Sequence, residues 1–248
     1  MRRCSYCGGP LADSARFCPA CGQELPGYAD AFRRPARPRP LGFLDRVPIQ
    51  GGPAVRMLGA IGAVLVASTG LWTAFGRAGF GLLAADLLLA LGVGLSAWPE
   101  RERLRPLLRP PRVGWLVAAL AGAAVLPLLG GIWVELLPGE APGLEPPLAG
   151  LPPSLLAFSL CLIPGVCEEI AFRGVVLQTL LGMARPATAH LITAGLFAAV
   201  HLQPAMFPYH FLVGLFLGWL RIRSRSLGAP MLAHAGHNAI VLLLLSGR

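Results

Sequence analysis

Hydrophobic residues in this chain fall into long runs separated by short arginine-bearing intervals. Residues 57–76, 113–134, 146–167, 186–220 and 226–247 hold no Asp, Glu, Lys or Arg, and residues 78–99 hold only Asp86. A helix that crosses a bilayer needs ~20 mostly apolar residues. The run 186–220 is too long for one crossing. Gln203-Pro204 and Phe207-Pro208 interrupt it, which predicts a tight helical hairpin with short arms. The stretch from about 153 to 183 carries Glu168, Glu169 and Arg173 between apolar flanks. It predicts one long spanning helix, kinked where Pro164 removes a backbone donor. The pattern gives an all-α polytopic membrane fold of about seven transmembrane helices over residues 54–248.

Composition points the same way. Hydrophobic residues make up 55% of the chain and charged residues 13%, near half the ~25% of an ordinary soluble domain. Intrinsic disorder is excluded by the hydrophobicity, and a soluble globule by the shortage of polar residues to cover it. The net charge of +9 comes wholly from 21 arginines. Such an excess can mark a nucleic-acid binder. Here the arginines sit between apolar runs, as in the cytoplasmic loops of membrane proteins, so no nucleic-acid partner is expected. With the N-terminus inside, the inner side holds Arg33, Arg34, Arg37, Arg39, Arg46 and Arg56, then Arg101, Arg103, Arg105, Arg109 and Arg112, then Arg185, and finally Arg221, Arg223 and Arg225. Arg77 and Arg248 fall outside, with Glu140 and Glu145. That bias predicts an N-in, C-out protein of the cell membrane, with the lipid bilayer as its surroundings.

Six cysteines fall into two sets. Cys161 and Cys167 lie in an apolar run and read as packing residues. Cys4, Cys7, Cys18 and Cys21 form two Cys-x2-Cys pairs, each followed by glycine (Gly8 and Gly22). Four thiolates in two such knuckles suit a tetrahedral structural zinc with no open coordination position. A 25-residue unit has too little core to fold without a staple. No apolar signal-peptide core follows Arg2 and Arg3, so this module is expected on the reducing, cytoplasmic side, where zinc is favoured over disulfides. The chain therefore divides into a zinc ribbon (1–25), an extended Pro/Arg-rich linker (26–53) and a membrane domain (54–248). The segment CSYCGGPLADSARFCPACGQEL resembles the short zinc ribbons found at bacterial protein N-termini.

Ionisable residues inside spanning helices are costly and mark function. Three clusters stand out. In Glu168-Glu169-Ile170-Ala171-Phe172-Arg173, Glu169 and Arg173 are four apart and can pair on one helix face, leaving Glu168 to point elsewhere. Phe197 and His201 share a face in the same way, and so do His234 and Asn238. Taken singly, each reads as a structural clamp or as interhelical hydrogen bonding. Together, a carboxylate, two imidazoles and an amide on three helices at similar depth can activate water and stabilise an oxyanion. Asp86 reads as a residue that pairs with another helix or faces the cavity, His190, His210 and Glu135 as interfacial, and His237 as a neighbour outside the pattern.

EExxxR, FxxxH and HxxxN, in this order on successive apolar helices, resemble the CPBP family of intramembrane proteases, which includes the CAAX prenyl endopeptidases and bacterial proteins linked to bacteriocin processing and immunity. The resemblance covers roughly residues 150–246, and EEIAFRG is its most specific stretch. It implies an intramembrane endopeptidase acting on membrane-embedded or lipidated substrates. Glu168 would activate water together with His201, and His234 and Asn238 would polarise the scissile carbonyl or stabilise the oxyanion. Glu169 and Arg173 would support them. Glu168, His201 and His234 also suit an open three-ligand catalytic zinc, although the chain has no HExxH and a glutamate–histidine mechanism without metal is preferred. The competing expectation is a non-catalytic scaffold or immunity-type protein whose ribbon docks a cytosolic partner. A proton-relay transporter is disfavoured because no inverted repeat is visible.

Overall fold

The structure, a computed structural model, describes residues 2–4, 7–12, 15, 17–23, 25, 52–75, 79–138, 148 and 150–247. The expected linker lies outside the described residues apart from Gly52 and Pro53, as do Arg77, Glu140, Glu145 and Arg248. Seven long helices are formed by the described residues: α1 (Gly52–Phe75), α2 (Phe80–Ala97), α3 (Val113–Glu135), α4 (Pro153–Leu181), α5 (Pro186–Val200), α6 (Phe207–Ser224) and α7 (Gly228–Ser246). Short helical turns carry α2 on to Leu108.

Six of these segments are long and apolar enough to cross a membrane, and α5 is a shorter apolar helix. At 15 residues it is about 22 Å long, less than the ~30 Å hydrocarbon core. It is the short arm expected of the 186–220 hairpin. A 3₁₀ turn at Pro204–Met206 separates it from α6, with Leu202 taking a positive φ of 55°. Pro208 does not end a helix; it stands in the first turn of α6, where a missing N–H costs nothing.

α4 is the hub, packing on α1, α2, α5, α6 and α7. Its Ala171, Phe172, Val175 and Val176 are buried in one core with Met57, Phe197, Leu217 and Leu220. The other main pairings are α1 with α2, α5 with α6, and α3 with α7. Gly165 permits the close approach of α4 and α7, since a Cβ there would lie 2.9 Å from Ala235 Cβ and 3.0 Å from its backbone nitrogen. Large apolar side chains cover the outside, among them Leu83, Leu87, Leu91 and Leu95 of α2 and Val117, Leu120 and Leu128 of α3. This is the inverse of a water-facing surface and fits a multi-pass membrane protein, in which lipid solvates the apolar exterior.

α4 is not a uniform α-helix. It widens to π-helical geometry at Phe158–Leu162 and again at Glu169–Val176. Such turns are frequent at functional sites. Pro164 sits just after the first of them, where the sequence predicted a kink.

Two-residue strands β1 (Arg2–Arg3) and β2 (Pro10–Leu11) pair antiparallel, with Arg2 opposite Leu11. They belong to the N-terminal module, whose small core is Cys4, Leu11, Ala15, Cys18 and Leu25. The module rests on the arginine-bearing end of the helices, with Gly22 against Pro186 at the start of α5.

Candidate active site

The N-terminal cysteines form a closed set. Their sulfurs all lie within 4.8 Å of one another, with Cys7 and Cys18 at 3.5 Å and Cys4 and Cys21 at 3.9 Å. Zn–S bonds of ~2.3 Å in a tetrahedron need sulfurs ~3.8 Å apart, so the donor set fits zinc. Both knuckles turn identically. Gly8 N–H donates to Cys4 O at 2.8 Å and Gly22 N–H to Cys18 O at 2.7 Å, and both glycines have φ just above +70°. Only glycine holds that left-handed conformation without strain. Burial pushes the Cys18 and Cys21 thiols above their ordinary range; a cation among the sulfurs reverses that preference.

The second polar cluster lies inside the helix bundle. Glu169 and Arg173 on α4 are fully buried and paired at 2.8 Å. Arg173 also donates to Gly214 O of α6 at 3.1 Å and lies over the Phe197 ring at 4.3 Å. The same Glu169 oxygen that takes Arg173 accepts Nδ1–H of His234 at 2.8 Å. His201 donates Nδ1–H to Phe197 O at 2.7 Å. Both imidazoles are therefore pinned at Nδ1 and offer Nε2 to a reactant. Phe197 stands between them, edge-on to His201 at 4.8 Å and to His234 at 5.7 Å between centroids. FxxxH thus supplies both the acceptor that orients His201 and the ring that separates the two histidines.

Glu168, next to Glu169 in sequence, faces elsewhere, as expected. It is half-buried, and its Oε2 is buried without a hydrogen-bond partner. Among the described residues it makes no hydrogen bond to His201 or His234. The only grouping of three or more metal-binding side chains within mutual reach among the described residues is the cysteine set, so Glu168, His201 and His234 do not form a preassembled metal site.

Asn238 donates its amide to Leu160 O on α4 at 3.0 Å. Pro164 lacks the N–H that an α-helix would direct at this carbonyl, four residues back. The Asn238 oxygen then accepts Nδ1–H of His237 at 2.9 Å. His237 Nε2 in turn accepts the Tyr209 hydroxyl proton at 2.6 Å, and the hydroxyl oxygen also lies 3.1 Å from Leu126 O on α3. His237 and Tyr209 therefore hold Asn238, a role its neighbour's spacing alone did not reveal.

One further correction concerns a residue read as bland. His210 is not simply interfacial: its ring stacks on His201 at 4.1 Å, and its Nδ1 is buried without a partner. His201 and His210 flank the Leu202–Met206 turn, so the hairpin itself was the available signal. Asp86 is a helix-pairing residue, accepting a short hydrogen bond from Ser159 of α4. Glu135 is exposed at the end of α3. His190 bonds Leu215 O at 2.7 Å and ties α5 to α6.

Comparison with known proteins adds two matches. Residues 150–240 match the family model of the type II CAAX prenyl endopeptidases, Rce1-like, and residues 1–25 match a zinc-ribbon domain. The first spans α4 to α7 with every residue of the buried polar cluster, and it supports an intramembrane endopeptidase, a hydrolase. The second coincides with the cysteine set and supports structural zinc. No curated protein and no solved structure matches the chain.

Proposed function

We propose that this protein cleaves peptide bonds within or at the surface of the membrane, using water activated by Glu168. The observation that carries this reading is the contrast between the two adjacent glutamates. Glu169 is consumed by Arg173 and His234, whereas Glu168 keeps a buried oxygen without a partner. A carboxylate oxygen that no protein donor occupies is free to take a proton from water.

In this mechanism Glu168 takes a proton from water that His201 orients through Nε2. The hydroxide attacks the scissile carbonyl, and the carbonyl oxygen becomes an oxyanion. His234, in its imidazolium form, donates Nδ1–H to Glu169 and Nε2–H to that oxyanion. An Asn238 N–H is the second donor. Glu168 then passes its proton to the leaving amine. Arg173 and Glu169 act through His234 by fixing its ring. No metal enters this sequence. The substrates would be membrane-embedded or lipidated proteins, CAAX-type or other. The arginine-rich end and its ribbon would face the cytoplasm of the cell membrane.

The test is cleavage in membranes by wild type, Glu168→Gln and His201→Ala, read with a prenylated CAAX peptide and by a proteome-wide search for new C-termini. Each variant is expected to fold and insert but to lose about 10²-fold or more in rate. Wild-type cleavage by a folded Glu168→Gln protein overturns the reading.

A further inference from the structure

Arg221 stands on α6 at the ribbon end of the bundle and is fully buried. Its Nη2 donates to Gln178 Oε1 of α4 at 2.9 Å, but Nε and Nη1 have no partner. A guanidinium is a permanent cation with five donors, and a buried charge without a counter-charge is strongly destabilising. No carboxylate among the described residues pairs with it.

The ribbon lies over this position. Gly22 touches Pro186 of α5. Cys7, Gly9, Pro19 and Ala20 face the helix ends across a cleft of about 650 Å³. A second cleft, of about 770 Å³, runs along the ribbon's other flank, and Gln178 lines both. Cys18 is the fully buried member of the cysteine set, and Cys7 lines the same cleft as Gln178, the residue that holds Arg221. Four thiolates around one Zn²⁺ are formally a dianion. A dianion at that place would supply the counter-charge Arg221 lacks.

We propose that the helix ends around Arg221 and Gln178 form a receptor surface for the chain's own zinc-loaded ribbon, with Arg221 as counter-charge to the zinc–thiolate cluster. The inference rests on the ribbon holding zinc and is independent of the proposed peptidase chemistry. Zinc loading and seating of the ribbon are then reciprocally linked: Arg221 slows zinc loss, and zinc holds the ribbon on α4 and α6. α4 is the helix that carries Glu168, Glu169 and Arg173, so the ribbon caps the end of the helix that bears the polar cluster.

The experiment uses the full chain in detergent micelles and follows zinc transfer to a chromophoric chelator. Arg221→Met keeps the bulk and removes the charge, Arg221→Lys keeps a charge, and Arg105→Met alters an exposed arginine away from both clefts. Arg221→Met is expected to lose zinc about tenfold faster or more. Arg221→Lys should stay within about threefold of wild type, and Arg105→Met should not change. Zinc loss from Arg221→Met at the wild-type rate overturns the proposal, as does equal acceleration by Arg221→Lys, which would signal packing rather than charge. A wild-type chain that carries no zinc also overturns it. Should Arg221→Met fail to fold, hydrogen exchange of the wild type decides. Zinc removal is expected to speed exchange at residues 177–181 and 221–225, and unchanged exchange there refutes the proposal.

Discussion

Replacing Glu169 with glutamine tests whether charge holds the buried cluster together. The amide keeps the shape and leaves an oxygen that can still accept His234 Nδ1–H, so the change removes the charge opposite Arg173 and little else. At the observed 2.8 Å, the attraction of two unit charges is about 6 kcal/mol at an effective dielectric of 20. Arg173 would retain its bond to Gly214 O and its place over the Phe197 ring, the latter worth ~1–2 kcal/mol. The expected loss of stability is therefore ~3–5 kcal/mol, the range for a buried pair that loses one partner. The double variant Glu169→Gln/Arg173→Met buries no charge and should be at least ~2 kcal/mol less destabilised than the sum of the single changes. Denaturant unfolding of the full chain in micelles measures all three. A loss below ~1 kcal/mol for Glu169→Gln, or additivity within ~0.5 kcal/mol, would refute the reasoning.

Gly165→Ala should cost ~2–3 kcal/mol, because the added methyl meets the backbone of Ala235 and one helix must shift. Gly131→Ala, with open space around it, should be neutral or stabilising by up to ~1 kcal/mol; equal melting temperatures for the two variants would contradict this. Tyr209→Phe leaves His237 Nε2 without its donor and should lower stability by ~1–3 kcal/mol, and if Asn238 serves the oxyanion it should also slow turnover about tenfold. Acidification should strip zinc from the ribbon, since the ligands bind as thiolates. Retention unchanged across the acid range, in a dye-competition titration, would count against it.

The apolar runs made the helices readable, because a span announces itself by length and by the absence of charge. Even the short arm at 186–200 was legible, since proline punctuates both of its ends. The i,i+4 logic also delivered the Glu169–Arg173 pair and separated it from Glu168. Contacts that cross between helices were another matter. The bond from His234 to Glu169 spans 65 positions, and that from Tyr209 to His237 spans 28. No periodicity encodes which faces meet at such distances. His210 was misread for a related reason. Its distance from the helix end suggested an interface, but the turn at Leu202–Met206 folds it back onto His201. The π-helical turns were also invisible, since they change which residues share a face without leaving a compositional mark. Arg221 was counted with the loop arginines on charge bias, although it is buried and Arg223 and Arg225 beside it are exposed.

The pairing of α3 with α7 bears on how the molecule is made. Chains emerge from the ribosome N-terminus first, so α3 is complete some ninety residues before its partner exists. Its small-residue face, Ala119 and Ala123, waits in lipid or against a temporary neighbour until α7 arrives, and Gly236 then closes on Ala123. α7 also brings His234, His237 and Asn238. The polar cluster is thus assembled by a late, long-range docking event, and a chain interrupted before residue 228 would have its other helices in the membrane but no finished site. Biogenesis itself keeps Glu168, the proposed water-activating carboxylate, separated from His234 and Asn238 until the bundle is whole.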